Sequence, residues 1–279
     1  VGRLQRRTVL YPGIGYPVYR NAISFAQGKP YAVPMSREQG YLMRPWDLPA
    51  AVQMDTAAIF INYPHNPTGT TADREYFEAL LNWAESRDVL ILSDECYIDI
   101  YDPLGPAPLS LSTFGSLQCL SFHSLSKRSG LTGYRSGFIL GPAELIAPLA
   151  NARSNFGVST PTAIQAAATA AWLDDGHVEE RRIALRQRLQ ICGQAMQDLG
   201  LVDDIPSAGF FLWCQVPKAR ASDDQRFSQD LSEAGVITSP ASSFGSTVTG
   251  FIRLAAVPPP ADCAAGMKAI AAVIAGRSP

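Results

Sequence analysis

Charge, cysteine and long apolar runs are all scarce in this 279-residue sequence, and each scarcity removes a class of function. Charged residues make up 17% and nearly cancel, leaving a formal net charge of -2. A general nucleic-acid binder carries a basic excess, so this balance argues against one. The five cysteines (Cys96, Cys119, Cys192, Cys214 and Cys263) are odd in number and include no CxxC pair. Such spacing fits neither a zinc site nor a disulfide framework, and it favours a reducing compartment such as the cytoplasm. No apolar run is long enough to span a bilayer, and no charged-then-apolar signal peptide opens the chain. Internal repeats and low-complexity linkers are missing too. Val1 stands where an initiator Met would, and Thr8-Val-Leu10 already reads as an interior strand, so an N-terminal segment is expected to be absent.

What is present is an ordinary globular composition, 47% hydrophobic, with enough chain for one large core and a smaller second unit. Strands are expected at Thr8 to Leu10, Tyr31 to Pro34, Ala57 to Ile61, Val89 to Leu92, Cys119 to Phe122 and Gly137 to Leu140. Between them, helices are expected from Val18 to about Gln27 and from Thr71 or Asp73 to Ser86, the latter burying Phe77, Leu80, Leu81 and Trp83. Strands that are apolar on both faces and alternate with helices predict a mostly parallel sheet covered on both sides. Beyond Leu140 the pattern changes. Pro142 to Asn151 and Pro161 to Leu173 read as helices, as does His177 to Leu199, whose Arg181, Arg182, Arg186 and Arg188 are expected to form a solvated face. The remainder reads as a small α+β unit, with strands at Gly209 to Trp213 and Phe251 to Ala255 and helices at Gln225 to Ala234 and Ala261 to Ala275. The expected division is 1–175 and 176–279.

Each strand of the first unit ends in unusual polar residues. In open α/β sheets ligands bind beyond the carboxyl ends of the strands, so Asn62 to Gly69, Asp94 to Tyr97 and Ser124 to Arg135 should meet in one place. Lys127 sits among Ser124, Ser126, Ser129, Gly130 and Gly133, with Arg128 and Arg135 nearby. Small residues let a ligand approach the backbone, hydroxyls and arginines grip phosphate, and a lysine beside cations tends toward the neutral amine that attacks carbonyls. The alternative is a plain surface loop. Asp94 follows an apolar strand, so its carboxylate needs a partner: a protonated ring nitrogen of a cofactor, or else a helix N-terminus or a structural ion pair. Tyr97 and Asn66 are placed to reach a cofactor oxygen; packing and a local Asx-turn are their simpler explanations. Arg253, amid Phe251, Ile252 and Leu254, suits a carboxylate held bidentately, or a surface charge on an edge strand.

Four stretches in order carry a resemblance: Asn62-Tyr-Pro-His-Asn-Pro-Thr-Gly69, Ser93-Asp-Glu-Cys-Tyr97, Ser124-Leu-Ser-Lys-Arg-Ser-Gly-Leu-Thr-Gly-Tyr-Arg-Ser-Gly-Phe138 and Phe251-Ile-Arg-Leu254. Together they resemble the class I/II aminotransferases of pyridoxal 5'-phosphate (PLP) fold type I, from about Tyr11 to the end. The resemblance implies an α/β large domain with a mostly parallel sheet and a smaller α+β C-terminal domain. It implies that Lys127 forms the Schiff base with PLP and shuttles the proton, and that Asp94 pairs with the pyridine nitrogen so that the ring acts as an electron sink. Tyr97 and Asn66 match the pair at the cofactor 3' oxygen. Ser124, Ser126 and Arg135 match phosphate ligands, and Arg253 matches the arginine on the substrate α-carboxylate. Tyr16 resembles an active-site aromatic, while His65 and Arg128 are family-typical neighbours given no chemistry.

The family usually has about a hundred further residues before Tyr11, including a phosphate loop and part of the substrate pocket. The form of the lysine motif looks most like N-succinyl-LL-diaminopimelate aminotransferases of lysine biosynthesis. That implies a glutamate donor, a 2-keto acid acceptor and a homodimer, with no nucleic-acid or membrane partner and no metal. A broad aspartate, alanine or aromatic aminotransferase, a PLP-dependent C–S lyase and a truncated non-catalytic module are the alternatives.

Overall fold

The parallel strands form because four or five consecutive apolar residues, flanked by turn residues, bury both faces of a short extended segment. The computed structural model describes residues 5–156, 159–218, 223–245 and 248–276; Val1 lies outside them. Strand β1 (Thr8–Pro12) leads into α1 (Val18–Phe25), then β2 (Lys29–Val33), α2 (Ala50–Asp55), β3 (Thr56–Asn62), α3 (Arg74–Glu85) and β4 (Leu90–Asp94). After these come β5 (Cys119–Ser124), the single-turn α4 (Leu125–Arg128) and β6 (Gly137–Leu140). Among the described residues these strands make one six-stranded sheet in the order β2-β1-β3-β4-β5-β6, parallel except for β6.

Helix α3 shows how local sequence sets the large core. Asp73 caps it by accepting from the Tyr76 N–H at 2.8 Å, and Phe77, Leu80, Leu81 and Ala84 then recur on one face. That face packs on Leu10, Ile59, Ile61 and Ile91, each buried side chain contributing about 1.5–3 kcal/mol. The opposite sheet face is less covered. Helix α1 lies over it with Tyr19 stacked on Phe60 (ring centroids 5.3 Å apart), while Leu90, Leu92 and Phe122 stay half-buried and Ile139 is exposed.

Helices α5 (Ala143–Asn155) and α6 (Thr162–Leu173) lead to α7 (Gly176–Asp198), β7 (Phe211–Gln215), α8 (Asp224–Glu233), β8 (Ser239–Pro240), β9 (Phe251–Ala255) and α9 (Pro260–Ile274). Strands β7, β9 and β8 form an antiparallel sheet in that order. A second core lies against it, built from Leu189 and Met196 of α7, Leu212, Ile252 and Leu254 of the strands, Phe227 of α8, and Met267 and Ile270 of α9. No described helix is long and apolar enough to cross a membrane.

The arginines of α7 do not form the expected solvated face. Arg181 donates to Lys127 O, Arg182 to Asp99 O, Arg186 to Pro206 O and Arg188 to Val257 O, at 2.8–3.0 Å. Arg186 also pairs with Asp102 at 2.7 Å, and Arg182 stacks 4.0 Å from the Tyr101 ring centroid. A guanidinium on a long stem reaches carbonyls that a helical charge pattern does not reveal.

Candidate active site

Register brings the strand tips together. In the parallel ladders Asn62 lies beside Asp94 and Asp94 beside Phe122, and antiparallel β6 sets Gly137 beside Ser124. Asn62 fastens two tips at once: its Nδ2 donates to Asp94 O at 2.8 Å and its Oδ1 accepts from the Asn66 N–H at 2.9 Å. His65 is buried, with Nε2 2.8 Å from Ile14 O and Nδ1 2.7 Å from Thr68 Oγ1. A carbonyl only accepts, so Nε2 carries the proton and Nδ1 accepts from Thr68. Burial holds His65 down to about 4, so the ring is neutral and ties the Tyr16 loop to the Asn66 loop.

Asp94 is half-buried. Its Oδ2 accepts from the Tyr19 hydroxyl at 2.7 Å and its Oδ1 from the Cys96 N–H at 3.1 Å. Its partners are therefore neutral donors, and one lone-pair direction on each oxygen is left for a further donor. Burial first, and then the Asp94 charge, raises the Tyr19 phenol well above its ordinary value. Tyr97 is buried edge-on against Phe210 and Phe211, with centroids 5.7 and 5.6 Å away, and burial pushes its phenol far up as well.

Lys127 stands on the single-turn helix α4 and lines the cavity, so the plain surface loop offered as the alternative is not what forms. Ser124 caps that turn, accepting from the Ser126 N–H at 3.1 Å. Arg135 follows a turn at Thr132–Tyr134 and donates to Thr132 O at 3.0 Å from an exposed, left-handed position (φ 52°).

Arg253 is not on an edge strand: β9 is the middle strand of its sheet, and the side chain is half-buried. Its guanidinium carbon lies 4.4 Å from the Phe211 ring centroid and 4.7 Å from that of Phe244. Nη1 donates to Asn66 Oδ1 at 3.0 Å and Nη2 to Ser239 Oγ at 3.3 Å, while the buried Nε has no partner. Burial draws this guanidinium below its ordinary value. Among the described residues no carboxylate neutralises it.

One cavity of about 880 Å³ is lined by Tyr16, Asn66, Asp94, Tyr97, Ser124, Ser126, Lys127, Arg135 and Arg253 together, and that volume suits a cofactor with its substrate. Tyr19, Cys96, Phe210, Phe211 and Arg181 also line it; sequence reading gave the first four no role and placed Arg181 on a solvated face. For Tyr19 the available signal was its spacing four residues before Ile23, which marks both as the inward face of α1. Among the described residues no group of three or more His, Cys, Asp or Glu could hold a metal.

An amine and a carboxylate thus share one cavity with an arginine of the antiparallel sheet, and the chain as a whole is similar to known proteins. The sequence profile of the family described as "Aminotransferase class I and II" matches residues 3–270. The chain belongs to that family. It is 38% identical over 251 residues, 88% of its length, to the LL-diaminopimelate aminotransferase of Syntrophobacter fumaroxidans. It is 34% identical over 253 residues, 90% of its length, to the enzyme of that name from Aquifex aeolicus. The matches span 64% and 65% of those two relatives' own length. Among solved structures, a probable N-succinyldiaminopimelate aminotransferase from Thermus thermophilus superposes with a TM-score of 0.86 at 28% identity, covering 95% of this chain and 71% of the other. A double mutant of Thermus thermophilus aspartate aminotransferase gives 0.87 at 26%, covering 96% and 70%. The mostly parallel sheet with a small antiparallel one is thus the fold of PLP fold type I aminotransferases.

Proposed function

We propose that this chain carries the catalytic core of a PLP-dependent aminotransferase, which moves an amino group between an amino acid such as glutamate and a 2-keto acid. The observation that carries the reading is the meeting of Lys127, Asp94 and Arg253 in one cavity. The donor set fits the cofactor: Asp94 has a free acceptor direction for a ring N–H, Ser124, Ser126 and Arg135 supply hydroxyls and a cation for a phosphate, and Arg253 lacks an anion. When bound, the cofactor supplies an aldehyde for the amine and a ring that absorbs the electrons released at the substrate Cα. Lys127 is the nucleophile toward that aldehyde and afterwards holds the proton that leaves Cα. Asp94 keeps the ring nitrogen protonated, with Tyr19 and the Cys96 N–H fixing its orientation. Tyr97 and Asn66 would hydrogen-bond the ring oxygen, and Tyr16, which also lines the cavity, would pack beside the cofactor. Arg253, clamped between Phe211 and Phe244, takes the substrate α-carboxylate, and its buried Nε gains a partner there.

The curated relatives' names point to diaminopimelate, and the Thermus structure's to its N-succinyl form, so the substrate proposed is of the diaminopimelate class. The reading keeps 1–175 as the cofactor domain and 176–279 as the small domain, in a reducing cytoplasm. A second copy of the chain is proposed as partner, which suits the exposed Phe138, Ile139 and Leu140 of β6.

Absorbance with added PLP tests the reading. Wild-type protein should develop a near-visible band that shifts when glutamate is added, and Lys127→Ala should lose it. A wild type without the band, or a mutant that keeps it, would refute the assignment.

A further inference from the structure

Helix α4 is one turn long, so the carbonyls at its end have no following turn to bond them. Arg181 supplies a partner from another element, its Nε donating to Lys127 O at 2.9 Å. The guanidinium lies against Gly130, where a Cβ would stand 3.0 Å from Nη1 and 3.2 Å from Cζ. Gly130 also has φ +69°, so its backbone conformation favours glycine, and any side chain there would have to push the Arg181 guanidinium aside. Two more side chains fasten the same turn to the end of α6 and the start of α7. His177 Nε2 lies 2.9 Å from Ser129 Oγ, and Arg128 donates to Ala171 O at 2.7 Å. Arg181 itself lines the cavity, and burial, then Arg188, lowers its pKa.

We propose that Arg181 is a positioning residue for Lys127: it fixes the lysine's main chain from α7 and adds a further cation to a cavity wall that also holds Arg135 and Arg253. This rests on Lys127 being the cofactor-bearing lysine. Its two effects separate. The hydrogen bond sets where the amine stands, and so how tightly the cofactor is held. The charge lowers the proton affinity of the nitrogen that Lys127 contributes.

The test uses the 279-residue chain with PLP as probe, comparing wild type, Arg181→Ala, Arg181→Lys and Arg188→Ala. Arg188 is the control, because it makes the same kind of bond from the same helix, to Val257 O at 2.8 Å, away from the lysine turn. Three quantities are measured: PLP affinity, the pH midpoint of the near-visible band, and the urea midpoint. Arg181→Ala should weaken PLP binding about tenfold, as loss of a charge-assisted hydrogen bond implies, and raise the pH midpoint. Arg181→Lys should restore most of the pH midpoint but not the affinity. Arg188→Ala should lower the urea midpoint alone. If Arg181→Ala moves only the urea midpoint, the residue is merely structural and the proposal is overturned. Should Arg181→Ala fail to fold, Arg181→Lys decides: wild-type affinity there overturns the proposal, and weakened affinity in a folded protein supports it. A wild type with no band takes down the assignment of Lys127, and this inference with it.

Discussion

His65 is 2% exposed, and its ring joins the Ile14 carbonyl to the Thr68 hydroxyl. Burial depresses it from 6.5 to about 4, a gap of about 2.5 pH units. The unfolded chain takes up this proton below pH about 6.5, but the native chain only below about 4. Between those values the unfolded state holds more protons, so stability falls as pH falls and the contribution is intact only above about 6.5. At about 1.36 kcal/mol per unit, the loss amounts to roughly 2 kcal/mol by pH 5 and about 3 kcal/mol by pH 4. The assay is urea unfolding at pH 7, 6 and 5 for wild type and His65→Gln, with the denaturant slope checked for constancy. Glutamine keeps a donor for Ile14 O but does not titrate. His65→Gln should be less stable at pH 7 and should lose about 2 kcal/mol less than wild type between pH 7 and 5. Parallel stability profiles for the two proteins would refute the argument.

Tyr19→Phe removes a hydrogen bond to a half-buried carboxylate, which is worth about 1.5–3 kcal/mol; urea unfolding within 0.5 kcal/mol of wild type, on the order of experimental scatter, would show the bond contributes little. Gly69→Ala places a Cβ 2.5 Å from Pro206 Cβ and 2.8 Å from Ala208 O at φ +74°. It should destabilise by about 2 kcal/mol or more, and an unshifted urea midpoint would contradict it. Phe244→Leu removes one of two rings from Arg253. It should raise KM for the amino donor several-fold with little change in kcat, since each cation–π contact is worth about 0.5–2 kcal/mol; an unchanged KM would exclude the clamp.

The parallel strands were legible because burial on both faces leaves an uninterrupted apolar run, and residues 89–92 followed by Ser93 and Asp94 are such a run. Their convergence followed from topology, since parallel strands side by side put all their carboxyl ends at one edge. Other features depended on partners distant in sequence. Tyr19 holds Asp94 only because α1 lies over β3, 75 residues away in sequence from the carboxylate. Strand β9 is central only because β8 pairs with it, and β8 is two residues, Ser239–Pro240, with no periodicity to read. The α7 arginines are plain in the sequence as charges on a helix, but most of their acceptors are main-chain carbonyls, which every residue has and no sequence marks.

That choice of acceptors bears on how the site is held together. Lys127 follows a strand of the sheet packed on α3, and Arg253 lies in a sheet with its own core. One helix of 23 residues, about 34 Å long at 1.5 Å per residue, is bonded to both. Arg181 meets the lysine turn, Arg182 and Arg186 the segment after Tyr97 through Asp99 O and Asp102, and Arg188 the Val257 carbonyl two residues beyond β9. Because most of these bonds end on backbone, side chains at Asp99, Pro206 and Val257 can change without releasing the helix. The arginines cannot, since a lysine offers one ammonium where the guanidinium offers a planar fork. The segments that carry Lys127 and Arg253 are therefore joined by donors on one helix, and substitutions of those donors should cost more stability than substitutions among their acceptors.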